Sequence, residues 1–195
     1  MRLFVWVVQL TIRTTKDSSV DKDKKEDFMK YYEPIHDQLY RFCRAIAGNV
    51  QDAEDLMQDT ILNVLDGFHR IDNLSAFKAF AFSVASNLQK MKHRRSKFST
   101  NFNEEEINQI VDSGQNLEYY ADFNIVYEKL LSLPSRTSET LILYHISDLS
   151  VEDIRDIQGG SISAVKSRLQ RGRAKVLSLL NAKAHLKTAL LFFAC

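Results

Sequence analysis

The residues with the clearest chemical pattern are short polar or basic side chains at positions 161–175, near the C-terminal end of the chain. In a helix of about 100° per residue, Ile162, Val165, Leu169 and Val176 form an apolar stripe, which turns the polar side chains outward. Short polar residues at a helix start can approach base edges, and the basic residues behind them can neutralise phosphates. The residues expected to contact nucleic acid are Ser161, Ser163, Ala164, Lys166, Ser167, Arg168, Arg171 and Arg173.

A second basic cluster, residues 90–97 (KMKHRRSK), ends an apolar helical stretch that begins near residue 76. The helical spacing places Phe82 opposite the expected apolar stripe, on the same face as Lys78 and Ser86. Basic groups beside an exposed aromatic ring suit single-stranded nucleic acid, because the phosphates are neutralised while an unstacked base packs on the ring. The alternative is that Phe82 packs against a neighbouring helix.

The charges of the chain are segregated along the sequence, although the net charge is only +1. Residues 161–187 contain seven Lys or Arg and no acid, whereas residues 99–128 contain seven Asp or Glu and no Lys or Arg. This distribution indicates an acidic spacer beside basic binding surfaces. Either block alone is also compatible with the solvated face of an ordinary helix.

Enzymatic, metal-binding and cofactor-binding functions find no support in the sequence. The five histidines are not paired with a nucleophile, a glycine-rich phosphate loop or a carboxylate cluster. The two cysteines, Cys43 and Cys195, are too few for a disulfide framework, which favours a reducing, cytoplasmic compartment. The apolar segments 1–12 and 186–195 are too short to span a bilayer. Residues 1–12 fit an ordered extension, a mis-assigned start or a weak membrane-surface segment, and the tail fits packing on the last helix or on a partner.

The elements that position these residues are helices. The chain has only six Gly and two Pro, and it shows almost no strand alternation, which predicts an all-α fold of two small helical domains joined by an acidic linker. Pro34 predicts a break near residue 33, Asn49 is placed to cap the following helix, and Pro134 to open a later one. A helix over 150–158 and Gly159–160 predict that the second domain contains a helix-turn-helix. The predicted segments are an N-terminal extension (1–22), a first domain (23–98), an acidic linker (99–122), a second domain (123–182) and an apolar tail (183–195).

Several motifs in this order resemble one protein family. They are residues 53–59 (AEDLMQD), 80–87 (FAFSVASN), the basic run, the Leu-Pro pair at 133–134 and residues 149–173. Together they resemble the extracytoplasmic-function (ECF) sigma factors, the small two-domain members of the primary-sigma family of bacterial RNA polymerase. The resemblance covers residues 26–180 and leaves the two ends uncovered.

The resemblance implies a transcription initiation factor without catalysis of its own. Its implied partners are core RNA polymerase, duplex and melted promoter DNA, and an anti-sigma factor, with no small-molecule substrate and no stable membrane insertion. The acidic linker would thread near the RNA exit path of polymerase. The helix at 161–175 would read the minus-35 element. The implied core-binding residues are Asp55, Gln58, Asp59 and Asn63. The implied minus-10 residues are Lys78, Phe82, Ser86, Asn87, Lys90, Lys92, Arg94 and Arg95.

The chain departs from the family pattern at six positions, of which three, Asp153, Arg155 and Asp156, stand where a Glu-Ile-Ala-Glu-like pattern is common. Phe80 stands where a tryptophan is usual, Met91 where an aspartate is common, and Ala164 where threonine is frequent. Alanine can touch a thymine methyl but cannot hydrogen-bond, so we expect a different base preference. Asp153 and Asp156 would place two acids near DNA, which favours specificity over affinity.

The pattern at residues 150–153, Ser-x-x-Asp, is equally a helix capping box.

The alternative function is a helix-turn-helix regulator that acts without polymerase. This alternative gives the face at residues 53–59 no role.

Overall fold

The computed structural model describes residues 19–71, 73–96 and 117–180, together with residues 189 and 193. Every regular element in these ranges is a helix, which confirms the predicted all-α class. The first domain contains α1 (Ser19–Tyr32), α2 (His36–Ala47), α3 (Val50–Gly67) and α4 (Leu74–Ser96). The second contains α5 (Leu117–Leu131), α6 (Ser135–His145), α7 (Val151–Gln158) and α8 (Ile162–Leu179). The start of the chain, the linker up to residue 116 and most of the tail lie outside the described residues.

The predicted helix boundaries have identifiable local causes. Pro34 lies in a 3-10 turn, Glu33–Ile35, which separates α1 from α2. Asn49 caps α3, because its side-chain oxygen accepts the backbone N–H of Asp52 at 2.8 Å. Pro134 immediately precedes α6. The helix α5 begins at Leu117, within the segment predicted as linker.

The turn between α7 and α8 depends on two glycines. Gly159 and Gly160 have φ values of +71° and +100°, a region that residues with a Cβ rarely adopt. The turn is also tied to α6, because the guanidinium of Arg136 donates to the carbonyls of Gln158 at 2.6 Å and Gly159 at 3.2 Å. These contacts fix the angle at which α8 leaves the turn, and so confirm the predicted helix-turn-helix.

One apolar core runs through both domains without interruption. In the first domain it includes Phe28, Phe42 and Phe77, and in the second Leu141 and Val165. Between them, the hydroxyl of Tyr127 on α5 donates to the carbonyl of Ala45 on α2. The two domains are therefore packed directly on each other in this structure.

The orientation of α4 differs from the predicted one. Phe82 is fully buried, with its ring centroid 5.3 Å from that of Phe42, whereas Phe80 is 36% exposed. The prediction of an exposed Phe82 is therefore wrong, and the alternative of packing against a neighbouring helix is correct. The physical reason is that α4 buries Phe77, Ala81 and Ala85, and this stripe carries Phe82 inward with it.

Candidate nucleic-acid interface

The helix α8 presents a polar face to solvent. Its N-cap is Ser161, whose hydroxyl accepts the backbone N–H of Ala164 at 3.2 Å. Val165, Leu169 and Val176 are buried, as the spacing predicted. The predicted contact residues that are exposed are Ser161, Ser163, Lys166, Ser167 and Arg171, and Ala164 is half-buried among them.

Two arginines predicted to contact DNA, Arg168 and Arg173, are instead engaged within the second domain. Arg168 Nη1 donates to Gln158 Oε1 at 2.5 Å and to Thr140 Oγ1 at 3.2 Å. Burial, with the nearby charges of Arg136 and Arg171, lowers the pKa of Arg168. A guanidinium held in this way fixes α8 against α6 and α7.

Arg173 makes a similar bridge at the other end of α8. Its Nε donates to His145 Nε2 at 3.0 Å, and its guanidinium carbon lies 5.3 Å from the centre of the Tyr144 ring. Burial, together with the charge of Arg173, lowers the pKa of His145 to about 4, which keeps the imidazole neutral and able to accept.

The helix α8 also approaches α6 closely at Gly172. A Cβ added there would lie 2.9 Å from Thr137 Cγ2 and 3.0 Å from Leu141 Cδ1. The helix α8 therefore packs on α6 at a distance that only glycine allows without a shift.

The exposed side of α4 carries an aromatic ring, an amide and basic groups in register. Phe80, Asn87, Met91 and Arg94 are all exposed and recur at helical spacing. The ring of Phe80 covers Gly67, where an added Cβ would be 2.9 Å from it. Phe80 was not predicted as a contact because its spacing also fits the expected apolar stripe with Phe77 and Ala81, and helical periodicity alone does not separate the two faces.

The predicted minus-10 residues other than Phe82 divide into three groups. Asn87, Arg94 and Arg95 are exposed. Lys92 is paired with Asp52 of α3, and the bonds that Asp52 accepts from Lys92 and Asn49 lower its pKa despite the opposing effect of burial. The other three, Lys78, Ser86 and Lys90, contact carboxylates of the second domain.

The face of α3 predicted to bind a partner is open. Asp55, Gln58, Asp59 and Asn63 are all exposed, and Leu62 among them is 42% exposed. We refer to these five residues as the acidic face. One exposed leucine is ordinary on a protein surface, so this face is distinguished by its carboxylates and amides, which can form charge-assisted hydrogen bonds with a basic partner.

The described part of the chain contains neither a metal-binding cluster nor a reactive thiol. No three His, Cys, Asp or Glu side chains there cluster in a way that could hold a metal ion. Burial raises the pKa of the Cys43 thiol to about 12, so this residue belongs to the core rather than to a reactive site. None of the described helices combines the length and the apolarity that crossing a bilayer needs.

Comparison with known proteins gives the same two domains in the same order. The model for Sigma-70 region 2 matches residues 31–98, and the model for Sigma-70, region 4 matches residues 123–176. The ECF RNA polymerase sigma factor SigW of Bacillus subtilis is 27% identical over 170 residues, which cover 78% of this chain and 87% of SigW. The ECF sigma factor EcfG of Rhodopseudomonas palustris is 28% identical over 142 residues, or 73% of this chain and 78% of EcfG.

A solved structure supports the same assignment. The sigma factor RpoE of Bartonella quintana, in complex with the anti-sigma factor NepR, superposes with a TM-score of 0.62 at 25% identity, over 81% of this chain and 99% of RpoE. Since both sigma-70 regions, the curated relatives and the helical architecture agree, this chain belongs to the ECF family of RNA polymerase sigma factors.

Proposed function

We propose that this sigma factor binds core polymerase through the acidic face of α3, reads duplex minus-35 DNA with α8, and captures melted minus-10 DNA on α4. The observation that carries the proposal is that the acidic face and the polar face of α8 are both exposed on one chain, each on the sigma-70 region that the family model matches. The protein has no catalytic step of its own, and it acts in the cytoplasm with polymerase.

On α8 the contacts divide between base edges and phosphates. Ser163, Ala164 and Ser167 are short and near the helix start, which suits base edges in the major groove. Lys166 and Arg171 are exposed cations, which suit phosphates. Arg168 and Arg173 act indirectly, by holding α8 in place.

On α4 the exposed ring is Phe80 rather than Phe82, so the stacking position of the interface shifts by two residues. Asn87 can donate to and accept from one base edge, and Arg94 and Arg95 extend the same side of the helix with positive charge. Melting then requires only that single-stranded bases bind this surface better than paired bases do. The acidic linker, with Glu at 104–106, runs near the RNA exit path.

The decisive test is run-off transcription from a genomic promoter library with core polymerase, with and without the protein. We expect promoter-dependent transcripts only when the protein is present. A triple variant, Asp55→Ala/Gln58→Ala/Asp59→Ala, should lose core binding while retaining duplex DNA contacts. A matched control, Glu128→Ala/Glu152→Ala, removes two exposed acids elsewhere and should behave like the wild type.

Promoter binding that does not depend on core polymerase would support the alternative function. Tight, specific promoter binding by the protein alone, with no dependence on core polymerase or on the acidic face, would indicate a regulator that acts without polymerase. The linker is tested separately: changing Glu104–106 to lysine should impair initiation without weakening isolated DNA binding, and unchanged promoter output would refute its role.

An anti-sigma factor is a further proposed partner. The Bartonella relative was solved bound to the anti-sigma factor NepR, and it aligns over most of this chain. We expect an anti-sigma factor to bind the protein and to reduce run-off transcription. Addition of a purified anti-sigma factor should reduce run-off transcription in proportion to the fraction of the protein that it binds.

A further inference from the structure

An aromatic residue near the end of the chain packs on the second domain. The ring of Phe193 meets the imidazole of His145 edge-on, with 5.0 Å between the ring centroids. Ala189 is fully buried in the same apolar core as Val176 and Leu180. Both Ala189 and Phe193 lie beyond residues 123–176, the range that the Sigma-70, region 4 model matches. A residue outside the family's second domain therefore contacts the end of α6.

His145 connects this contact to α8. Its Nε2 accepts from Arg173 Nε at 3.0 Å, and the guanidinium carbon of Arg173 lies 5.3 Å from the centre of the Tyr144 ring. The rings of Tyr144 and His145 are 4.9 Å apart. We use the name tail cluster for four side chains, those of Phe193, His145, Tyr144 and Arg173.

The tail cluster is one of two polar attachments that hold α8 on its domain. The other is Arg168, which donates to Gln158 and Thr140. Arg168 and Arg173 are five positions apart, or about 7.5 Å along the helix axis. Two attachments at this separation fix the direction of α8 as well as its position. Loss of the Arg173 attachment would leave α8 free to tilt about the other one.

The attachment at Arg173 requires a neutral imidazole. Nε2 of His145 can accept only while it carries no proton, and an imidazolium would repel the guanidinium. Burial is the larger cause that lowers the pKa of His145 to about 4, and the charge of Arg173 adds to it. Arg173 of α8 and Tyr144 of α6 are titratable groups that face the imidazole. The ring of Phe193 supplies part of the burial, because it packs directly on the imidazole.

We propose that Phe193 is a positioning residue for minus-35 recognition, which shields His145 from water and so preserves the bond from Arg173 that holds α8. This inference rests on the proposed role of α8 in reading duplex DNA. Phe193 acts through two side chains rather than by contact with DNA. The consequence is that minus-35 recognition withstands mild acidification.

The first experiment measures the pKa of His145 in the full-length protein without DNA, by NMR titration of the imidazole resonance. His145→Gln assigns that resonance. We expect the pKa to rise from about 4 towards the ordinary 6.5 in Phe193→Ala, and to stay at the wild-type value in Phe193→Tyr, which keeps the ring. Leu131→Ala removes an apolar side chain that is 44% exposed elsewhere in the second domain, and it should also leave the pKa unchanged.

The second experiment measures duplex DNA binding by fluorescence anisotropy at pH 7.5 and pH 5.5, one unit above and one unit below the ordinary pKa of 6.5. The probe is a duplex that the wild-type protein, with core polymerase, selects from a randomised pool. At pH 5.5 an imidazole with the ordinary pKa is about one part neutral to ten parts protonated, whereas one with a pKa of about 4 is almost wholly neutral. We therefore expect Phe193→Ala to bind up to about tenfold more weakly at pH 5.5 than at pH 7.5, relative to the wild type.

Two variants separate positioning from a general loss of structure. Phe193→Tyr should restore the wild-type pH profile. Adding Phe193→Ala to His145→Gln should introduce no pH dependence, because the group that titrates is gone. Circular dichroism at both pH values checks folding, and Phe193→Leu, which keeps an apolar contact without the ring, replaces Phe193→Ala if that variant is unfolded.

The outcomes distinguish this proposal from the proposed function. A pKa of His145 that stays at about 4 in the folded variant without the ring overturns the proposal. A raised pKa with the wild-type pH profile of binding overturns it too, and so does an equal loss of affinity at both pH values, which indicates a structural role alone. If the wild type selects no duplex, the proposed role of α8 fails and the positioning role fails with it. That last outcome involves no change at Phe193, so it is recognised separately.

Discussion

Gly172→Ala tests how closely α8 must sit on α6. The added methyl would lie 2.9 Å from Thr137 Cγ2 and 3.0 Å from Leu141 Cδ1, closer than carbon atoms pack without displacement. Overpacking of this kind costs about 1–3 kcal/mol, and replacing glycine by alanine within a helix returns about 1 kcal/mol. We therefore expect a net loss of about 1 kcal/mol, because Leu141 is fully buried and Thr137 is stiff at χ1.

The assays are urea unfolding and thermal unfolding of the full-length protein, both followed by circular dichroism. For a chain of this size a loss of about 1 kcal/mol lowers the melting temperature by roughly 2–4 °C. Ala174→Gly, at an exposed position of the same helix, supplies the control, because it changes helix propensity alone. The double variant Thr137→Ser/Gly172→Ala removes the clashing Cγ2, and should recover part of the loss.

Two results would refute this reasoning. A gain of about 1 kcal/mol in Gly172→Ala would mean that helix propensity dominates and that α6 yields without cost. Additive effects of Thr137→Ser and Gly172→Ala would mean that the two side chains do not meet. If the reasoning holds, Gly172→Ala also shifts α8, so duplex minus-35 binding should weaken more than core binding does.

Three further predictions follow from contacts within the domains. Because the pKa of His145 is lowered to about 4 from the ordinary 6.5, the unfolded chain takes up a proton as the pH falls below 6.5 and the folded chain does not until about 4. The free energy of unfolding should therefore fall from pH 6.5 to pH 4, and His145→Gln should flatten that slope in urea titrations at each pH. Phe82→Ala should cost about 3–5 kcal/mol because the ring is fully buried. Phe80→Ala should cost clearly less, because its ring is 36% exposed, and should weaken promoter opening, read by permanganate footprinting. The reverse ranking of the two unfolding midpoints would contradict the observed burial of α4. Ser161→Ala should cost about 1 kcal/mol through loss of the α8 cap, and Ser161→Asp should restore the unfolding midpoint.

The sequence alone was sufficient to predict those structural features that depend on neighbouring residues. Helical periodicity and low glycine content predicted the all-α class, and the breaks at Pro34, Asn49 and Pro134 followed from backbone chemistry at those residues. The capping box of α7 is another local feature, because Ser150 and Asp153 satisfy each other within one helical turn. The exposed acidic face of α3 was also predictable, since its helix has a single apolar stripe.

The predicted orientation of α4 was wrong because its sequence contains two possible apolar stripes. Phe77, Phe80, Ala81, Phe82 and Val84 allow more than one buried face, and periodicity alone does not choose between them. The choice is made by Phe42 on α2, which packs on Phe82 and leaves Phe80 outward. This packing partner is forty residues away in the sequence, so no local pattern could have indicated it.

Neighbouring residues and motif order were enough to predict most of the helices, their caps and the family, although α5 begins within the predicted linker. The roles of individual charges became clear only from the packing of the helices. Arg168 and Arg173 support α8 from within, and Glu139 and Asp153 meet the lysines of α4. The role of a charged side chain depends on the group that it contacts, and here each contacted group lies on another helix.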